Sequence, residues 1–325
     1  MTAARSRRAP DVADLVEQAR AGRPRAVGRL ISLVEDQSPA LREVMALLAP
    51  HAGAARVVGI TGSPGVGKST STSALVTAYR RRSMRVGVLA VDPSSPFSGG
   101  ALLGDRVRMQ EHAVDDGVFI RSMASRGHLG GLSWATPQAL RVLSAAGCDV
   151  VLVETVGVGQ AEVQVASLAD TTLVLLAPGM GDGIQAAKAG ILEVADVFVV
   201  NKADRDGADS VVRDLRTMLS LGDRRTDDGW RVPIVKTSAA QGEGIDEVVD
   251  EVERHGAWLA ASGRLDARRR ARAADEVEAI ALASLRARMG DLRGGDLLEG
   301  LAGRVVAGDV DPYTAADELV SAVTA

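Results

Sequence analysis

The chain has 325 residues, of which 46% are hydrophobic, 25% charged and 2% aromatic, and its net charge is -4. This suits a globular chain with one large domain and appended elements, or two domains. The acidic balance excludes a dedicated nucleic-acid binder, the scarce aromatics exclude a stacking platform for single strands, and the single Cys148 excludes an intramolecular disulfide. Arg5, Arg7 and Arg8 precede no apolar stretch of a secretion signal, and no apolar run reaches membrane-spanning length. The expected compartment is the cytoplasm, with no membrane partner. Cys148 and the four histidines (His51, His112, His128, His255) show no metal-ligand spacing.

Residues 11–50 read as helices. Val12, Leu15, Val16 and Ala19 keep helical spacing, Gly22-Arg23-Pro24 breaks it, Ala26 to Leu33 resume it, and a further helix spans Pro39 to Leu48. From about Arg56 short apolar runs alternate with helices. The runs are Val57–Thr61, Val86–Val91, Val118–Met123, Val150–Glu154, Leu173–Ala177, Val197–Asn201 and Val232–Val235. Several are apolar on both faces, as strands covered on each side are. The fold class this predicts is α/β, a doubly wound, mostly parallel sheet. Beyond about Leu265 the strands stop, and Ala267–Arg288, Leu297–Val306 and Tyr313–Val323 read as helices, the last opened by Asp311-Pro312. The expected division is 1–55, 56–262 and 263–325.

Basic residues number 38, yet only Lys68, Lys188, Lys202 and Lys236 are lysine. An Arg-rich codon bias explains the scarcity but not the places. Lys68 lies in Gly62-Ser63-Pro64-Gly65-Val66-Gly67-Lys68-Ser69, after an apolar strand and before a helix beginning near Thr70. This is the phosphate-loop pattern in its proper context. Glycines let backbone N–H groups face phosphates, and the helix N-terminus adds its dipole. Lys68 is expected to reach the β- and γ-phosphates and Ser69 to ligate Mg²⁺.

Asn201-Lys202-Ala203-Asp204 ends a later strand, and Ser238-Ala239-Ala240 follows the next one. Asp204 can accept from guanine N1–H and its exocyclic amine together, a donor pair adenine lacks. The stem of Lys202 can cover the purine, Asn201 can tie this loop to the phosphate loop, and Ser238-Ala239 can present backbone N–H to guanine O6. Ligands of this fold bind at the carboxyl ends of parallel strands. The pattern therefore points to GTP and GDP.

Three acids are placed for the phosphate side: Asp92 at a strand end, Asp105 in a loop-like stretch, and Glu154 closing an apolar strand just before Gly157, whose N–H can sense a γ-phosphate. A solvated strand-end carboxylate or a helix cap is the plainer alternative, as open as function for Asp105 alone. Pro178 to Lys188 carries three glycines, at 179, 181 and 183, together with Asp182, Gln185 and Lys188. A mobile segment or an ordinary capped helix start both fit.

Val91-Asp92-Pro-Ser-Ser-Pro-Phe97, Leu103-Gly-Asp-Arg-Val-Arg-Met109, Ser125-Arg-Gly-His-Leu-Gly-Gly131, Glu154-Thr-Val-Gly-Val-Gly-Gln160 and the Gly179–Ala195 segment resemble the MeaB/ArgK-type GTPases, chaperones of methylmalonyl-CoA mutase. The resemblance runs from about Asp11 to the C-terminus. It implies a homodimeric GTPase with an N-terminal helical extension, a G domain and a C-terminal helical dimerisation arm. It implies slow hydrolysis accelerated by a B12-dependent acyl-CoA mutase, and no tightly bound organic cofactor. Asp92, Asp105 and Glu154 match the family's catalytic or metal-associated acids, and Asp182, Gln185 and Lys188 fall in its additional switch. Trp134 and Ser71 depart from the pattern, where a basic and an apolar residue are usual. A nickel-insertion GTPase would need His/Cys-rich sites that this chain does not supply. A transport-associated ATPase or kinase for basic amino acids would need tolerance of adenine, against which Asp204 argues.

Overall fold

Seven strands pair in the order β3-β2-β4-β1-β5-β6-β7, every pair parallel. They are β1 (Arg56–Gly62), β2 (Val86–Asp92), β3 (Val118–Ala124), β4 (Val150–Thr155), β5 (Thr171–Leu176), β6 (Val197–Val200) and β7 (Ile234–Lys236). All seven expected runs are strands. The last begins later than expected because Pro233 has no N–H to give the ladder, although its carbonyl accepts Phe198 N–H at 2.9 Å. The computed structural model describes residues 11–92, 110–112, 114–124, 135–155, 161–179, 191–221, 229–289 and 296–324. Asp105, Gly157, His128, Trp134, Asp182, Gln185 and Lys188 lie outside them, and of Asp92 only the backbone is described.

Helices α1 (Val12–Arg20), α2 (Pro24–Glu35), α3 (Leu41–Leu48), α4 (Lys68–Arg81), α5 (Thr136–Ala145), α6 (Ala161–Leu168), α7 (Ala208–Leu221) and α8 (Ile245–Ala261) clothe the sheet. Asp11 caps α1, its carboxylate accepting the N–H of Ala13 and Asp14. On one face, Leu75, Val76 and Tyr79 of α4 and Val248, Val249 and Val252 of α8 pack on Val58, Ile60, Leu152 and Leu173. On the other, Leu30 and Ile31 of α2 and Val142 and Leu143 of α5 meet Leu89, Met123 and Val151, while α7 covers Phe198 and Val200. The core is largely aliphatic, and β1, β4 and β5 are buried almost throughout, which is why their sequences do not alternate.

An aspartate precedes each of β4, β5 and β6. Asp149 Oδ2 accepts Arg85 N–H at 2.7 Å, Asp170 Oδ2 accepts Val57 N–H at 3.0 Å, and Asp196 Oδ2 accepts Thr172 N–H at 2.9 Å. Each fixes the register of its strand against a neighbour at the edge remote from the phosphate loop. The N–H groups involved would otherwise be orphaned at a strand start.

Asp196 also receives the guanidinium of Arg268, at 3.1 and 3.0 Å. Beside it His255 is fully buried between Trp230 and Trp258, with Nδ1 2.9 Å from Thr171 Oγ1. Its Nε2 lies 3.3 Å from Asp196 Oδ1 but out of line for a hydrogen bond. Burial pushes the imidazole from 6.5 down to about 4, with Asp196 pulling it up, Arg268 pushing it down and Asp170 pulling it up. The folded state thus binds this proton less readily than the unfolded chain. The stabilisation is complete above about pH 6.5 and is lost as pH falls to about 4, a change of about 3 kcal/mol. Thermal midpoints measured from pH 7 to pH 4 should fall more steeply for the wild-type chain than for His255→Gln; parallel curves would contradict this.

By its internal contacts the chain forms two compact units, 1–268 and 269–325, so that the helices of residues 11–55 belong to the first. The boundary falls inside α9 (Arg264–Met289). In the second unit α10 (Asp296–Ala307) packs on α11 (Pro312–Thr324), burying Leu301 and Ala315, with Arg304 paired to Glu318 at 2.6 Å. Asp311 caps α11 through the N–H groups of Tyr313 and Thr314, as the Asp-Pro pair predicts. Val277, Leu282, Leu285, Leu297, Val306 and Tyr313 remain exposed.

Candidate functional site

β1 delivers Gly62 into a loop that α4 closes at Lys68. At Gly62 φ is 141°, and a Cβ would stand 2.3 Å from the carbonyl oxygen of Leu175 on β5. At Gly67 φ is 96°, and a Cβ would stand 2.5 Å from Nδ2 of Asn201. Both positions therefore require glycine, for close approach as much as for conformation. Lys68 is buried, and its Nζ donates to the carbonyls of Gly62 at 2.6 Å and Ser63 at 3.2 Å, curling back over the loop. The ammonium is thereby held at the mouth of a helix N-terminus, where an anion is favoured.

Ser69 Oγ donates to Glu154 Oε1 at 2.6 Å. Glu154 is buried, and it comes from β4, the strand beside β1. A hydroxyl and a buried carboxylate in contact are the hard oxygen donors that Mg²⁺ takes, with waters and phosphate completing its shell. The residues present fit that ion. Asp92 ends β2, the next strand along, opposite Ala124 of β3.

The third part is built around Asn201, at the end of β6 and buried. Its Nδ2 donates to Val66 O at 2.9 Å, and its Oδ1 accepts Thr237 Oγ1 at 3.2 Å and Ala239 N–H at 3.1 Å. One amide joins the phosphate loop to the turn after β7. Lys202 has φ of 58°, unusual for a residue with a Cβ, and Nζ reaches Gly65 O at 2.7 Å. Ala203 N–H to Thr237 O at 2.9 Å and Asp204 N–H to Ser238 Oγ at 3.2 Å hold that strained backbone from the far side. Asp204 is exposed, and its Oδ1 accepts Ser238 Oγ at 2.9 Å, which fixes the plane of the carboxylate.

One expectation is corrected. Ser238 and Ala239 do not present their N–H groups outward: Ser238 donates to Glu243 O at 3.1 Å and Ala239 to Asn201. The reason is the isolated bridge that folds residues 238–243 back on themselves, together with the second lone pair of Asn201. Ala240 N–H is the turn's donor that makes no hydrogen bond among the described residues. The motif assigns no role to Thr237, yet its buried hydroxyl donates to Asn201 and helps orient it; its position directly before Ser-Ala is the signal in the sequence. A cleft of about 520 Å³ runs beside this site, lined by Ser69, Thr70, Ser73, Thr77, Ala239 and Gln241. The structure thus brings together Gly62, Ser63, Pro64, Gly65, Val66, Gly67, Lys68, Ser69, Thr70 and Glu154 with Asn201, Lys202, Asp204, Ser238, Ala239 and Ala240.

A family model described as methylmalonyl Co-A mutase-associated GTPase MeaB matches residues 27–291. The chain belongs to this family. Similar proteins include a Pyrococcus abyssi chain named as a candidate GTPase, 46% identical over 312 residues, 95% of this chain and 96% of that one. GTPase ArgK of Escherichia coli is 38% identical over 260 residues, 78% of each. A mouse protein named methylmalonic aciduria type A homolog, mitochondrial, is 41% identical over 215 residues, 65% of this chain and 52% of its own length. The solved structure of a LAO/AO transport system kinase aligns over 97% of this chain and 98% of that one, with TM-score 0.71 and 27% identity. The MeaB-type chain is a P-loop GTPase, and its phosphate loop, Glu154 and Asn201–Asp204 converge at one end of the sheet.

Proposed function

We propose that this GTPase is a chaperone of a B12-dependent methylmalonyl-CoA mutase, gating cofactor loading and protecting the mutase, with hydrolysis that is slow alone and accelerated by that partner. The observation that carries the reading is the family match over residues 27–291, whose description names the mutase. The mouse relative's name points to the same metabolic setting.

In this reading residues 62–70 cradle the phosphates, and Lys68 neutralises charge on the β- and γ-oxygens. Ser69 and Glu154, with Asp92 and Asp105, would hold Mg²⁺. When bound, that ion supplies further neutralisation of the phosphates. Gly157 senses the γ-phosphate. Lys202 covers the purine, Asp204 reads N1–H and the amine, and Ala240 N–H takes over O6 from Ala239. Residues 263–325 form the arm of a cytoplasmic homodimer, consistent with the apolar side chains exposed on α9 to α11. The transport-kinase reading draws on the structural likeness alone, and the held carboxylate of Asp204 speaks for guanine.

Asp182, Gln185 and Lys188 relay nucleotide state to the mutase. A segment carries such a signal only if the partner binds its two arrangements with different free energy. GTP turnover of Gln185→Ala and Lys188→Ala should match wild type in the free protein and lose most of its stimulation by a B12-dependent acyl-CoA mutase. Full stimulation in both variants would remove the relay. Failure of the mutase to co-purify with the wild-type chain, with and without a non-hydrolysable GTP analogue, would remove the partner.

A further inference from the structure

Behind the first turn of α4 lies a polar cluster that the nucleotide-site reading does not use. Ser73 is buried, one helical turn beyond Ser69 and so about 6 Å along the axis. Its Oγ donates to Glu111 Oε1 at 2.6 Å and lies 3.0 Å from His112 Nε2. The same Nε2 lies 3.2 Å from the carbonyl oxygen of Ser73. One assignment satisfies every group: the Nε2–H tautomer of His112 donates to Ser73, and the Ser73 hydroxyl hydrogen goes to Glu111. Seven residues further along the same face of α4, Arg80 makes a two-pronged bond to Asp115, at 2.8 and 3.0 Å. That guanidinium holds the Asp115 carboxyl below the usual carboxylate range, helped by the N–H of Gly117. The chain from 111 to 117 is therefore fastened at two points to the helix whose first turn supplies Lys68 and Ser69.

We propose that Ser73 is a positioning residue for GTP hydrolysis, acting through Glu111 and His112 and touching neither nucleotide nor metal. The inference rests on the GTPase reading above. Its logic is geometric. Ser73 fixes residues 111 and 112 on the helix that bears the phosphate-side groups, and Ser73 and Glu111 line the same cleft as Ser69 and Thr70. Displacing a reacting group by about 1 Å can lower a rate by up to about a hundredfold without weakening ground-state binding.

The test uses the full chain with Ser73→Ala and Ser73→Thr. Alanine is the better helix former, and Glu111 is exposed enough for water to replace the lost donor, so a folding defect is not the expected result. Single-turnover GTP hydrolysis should slow about tenfold in Ser73→Ala, while GDP affinity stays within about threefold and the thermal midpoint holds. Ser73→Thr keeps the hydroxyl and should recover most of the rate. Glu111→Ala should resemble Ser73→Ala, and the double variant should be no slower than either, because both remove one interaction. Wild-type hydrolysis in Ser73→Ala would overturn the inference. So would a loss of rate matched by equal losses in affinity and midpoint. A wild-type chain with no GTP turnover would instead sink the functional reading on which the inference stands.

Discussion

Lys68→Ala should remove GTP hydrolysis, by at least about a hundredfold, and weaken triphosphate binding as well. The ammonium is already aimed, held by the carbonyls of Gly62 and Ser63 inside the loop that surrounds it. Little reorganisation remains to be done when phosphates arrive, so its contribution is close to a full charge-assisted contact in both ground and transition states. Glu154→Ala differs in kind. It leaves Ser69 without its carboxylate and should lower turnover far more than affinity, and Asp92→Ala should behave likewise. Single-turnover rates set beside separately measured affinities decide between the two patterns. Unchanged hydrolysis in Glu154→Ala would strip the Ser69–Glu154 pair of its assigned role.

GDP should bind more tightly than ADP by about 2–4 kcal/mol, roughly 30- to 700-fold. Adenine offers no paired donors to Asp204, and its amine would face the N–H of Ala240, donor against donor. The selectivity should be firm because the Ser238 hydroxyl bonds the carboxylate and takes the N–H of the same residue, which fixes its plane. Titration calorimetry with the two diphosphates measures the difference directly. Comparable affinities would return the chain to the ATPase or kinase reading.

Much of this was legible in the sequence. The apolar runs marked all seven strands because a buried parallel strand needs no polar alternation, and the glycines of the phosphate loop marked positions where a Cβ would collide with Leu175 or Asn201. What spacing does not encode is which partner a hydrogen-bonding group chooses. Asn201 has two lone pairs on its oxygen, and nothing in Thr-Ser-Ala-Ala says that the second is filled by Ala239 and not by solvent. The Ser73–Glu111 contact spans 38 positions and carries no motif, so only the fold reveals it. His255 reads as a scattered histidine until β5, β6 and α8 close around it. The aspartates before β4, β5 and β6 were visible letters with no visible purpose, because their partners lie on other strands.

Those three aspartates have a consequence for how the molecule yields. Each clamps the amino end of one strand to the backbone next to it, by a bond that no nucleotide touches. Stiffness is thereby added along one rim of the sheet, the rim away from the phosphate loop. In hydrogen exchange, the amides of Val57 and Thr172 should persist to the slowest phase whichever nucleotide is present.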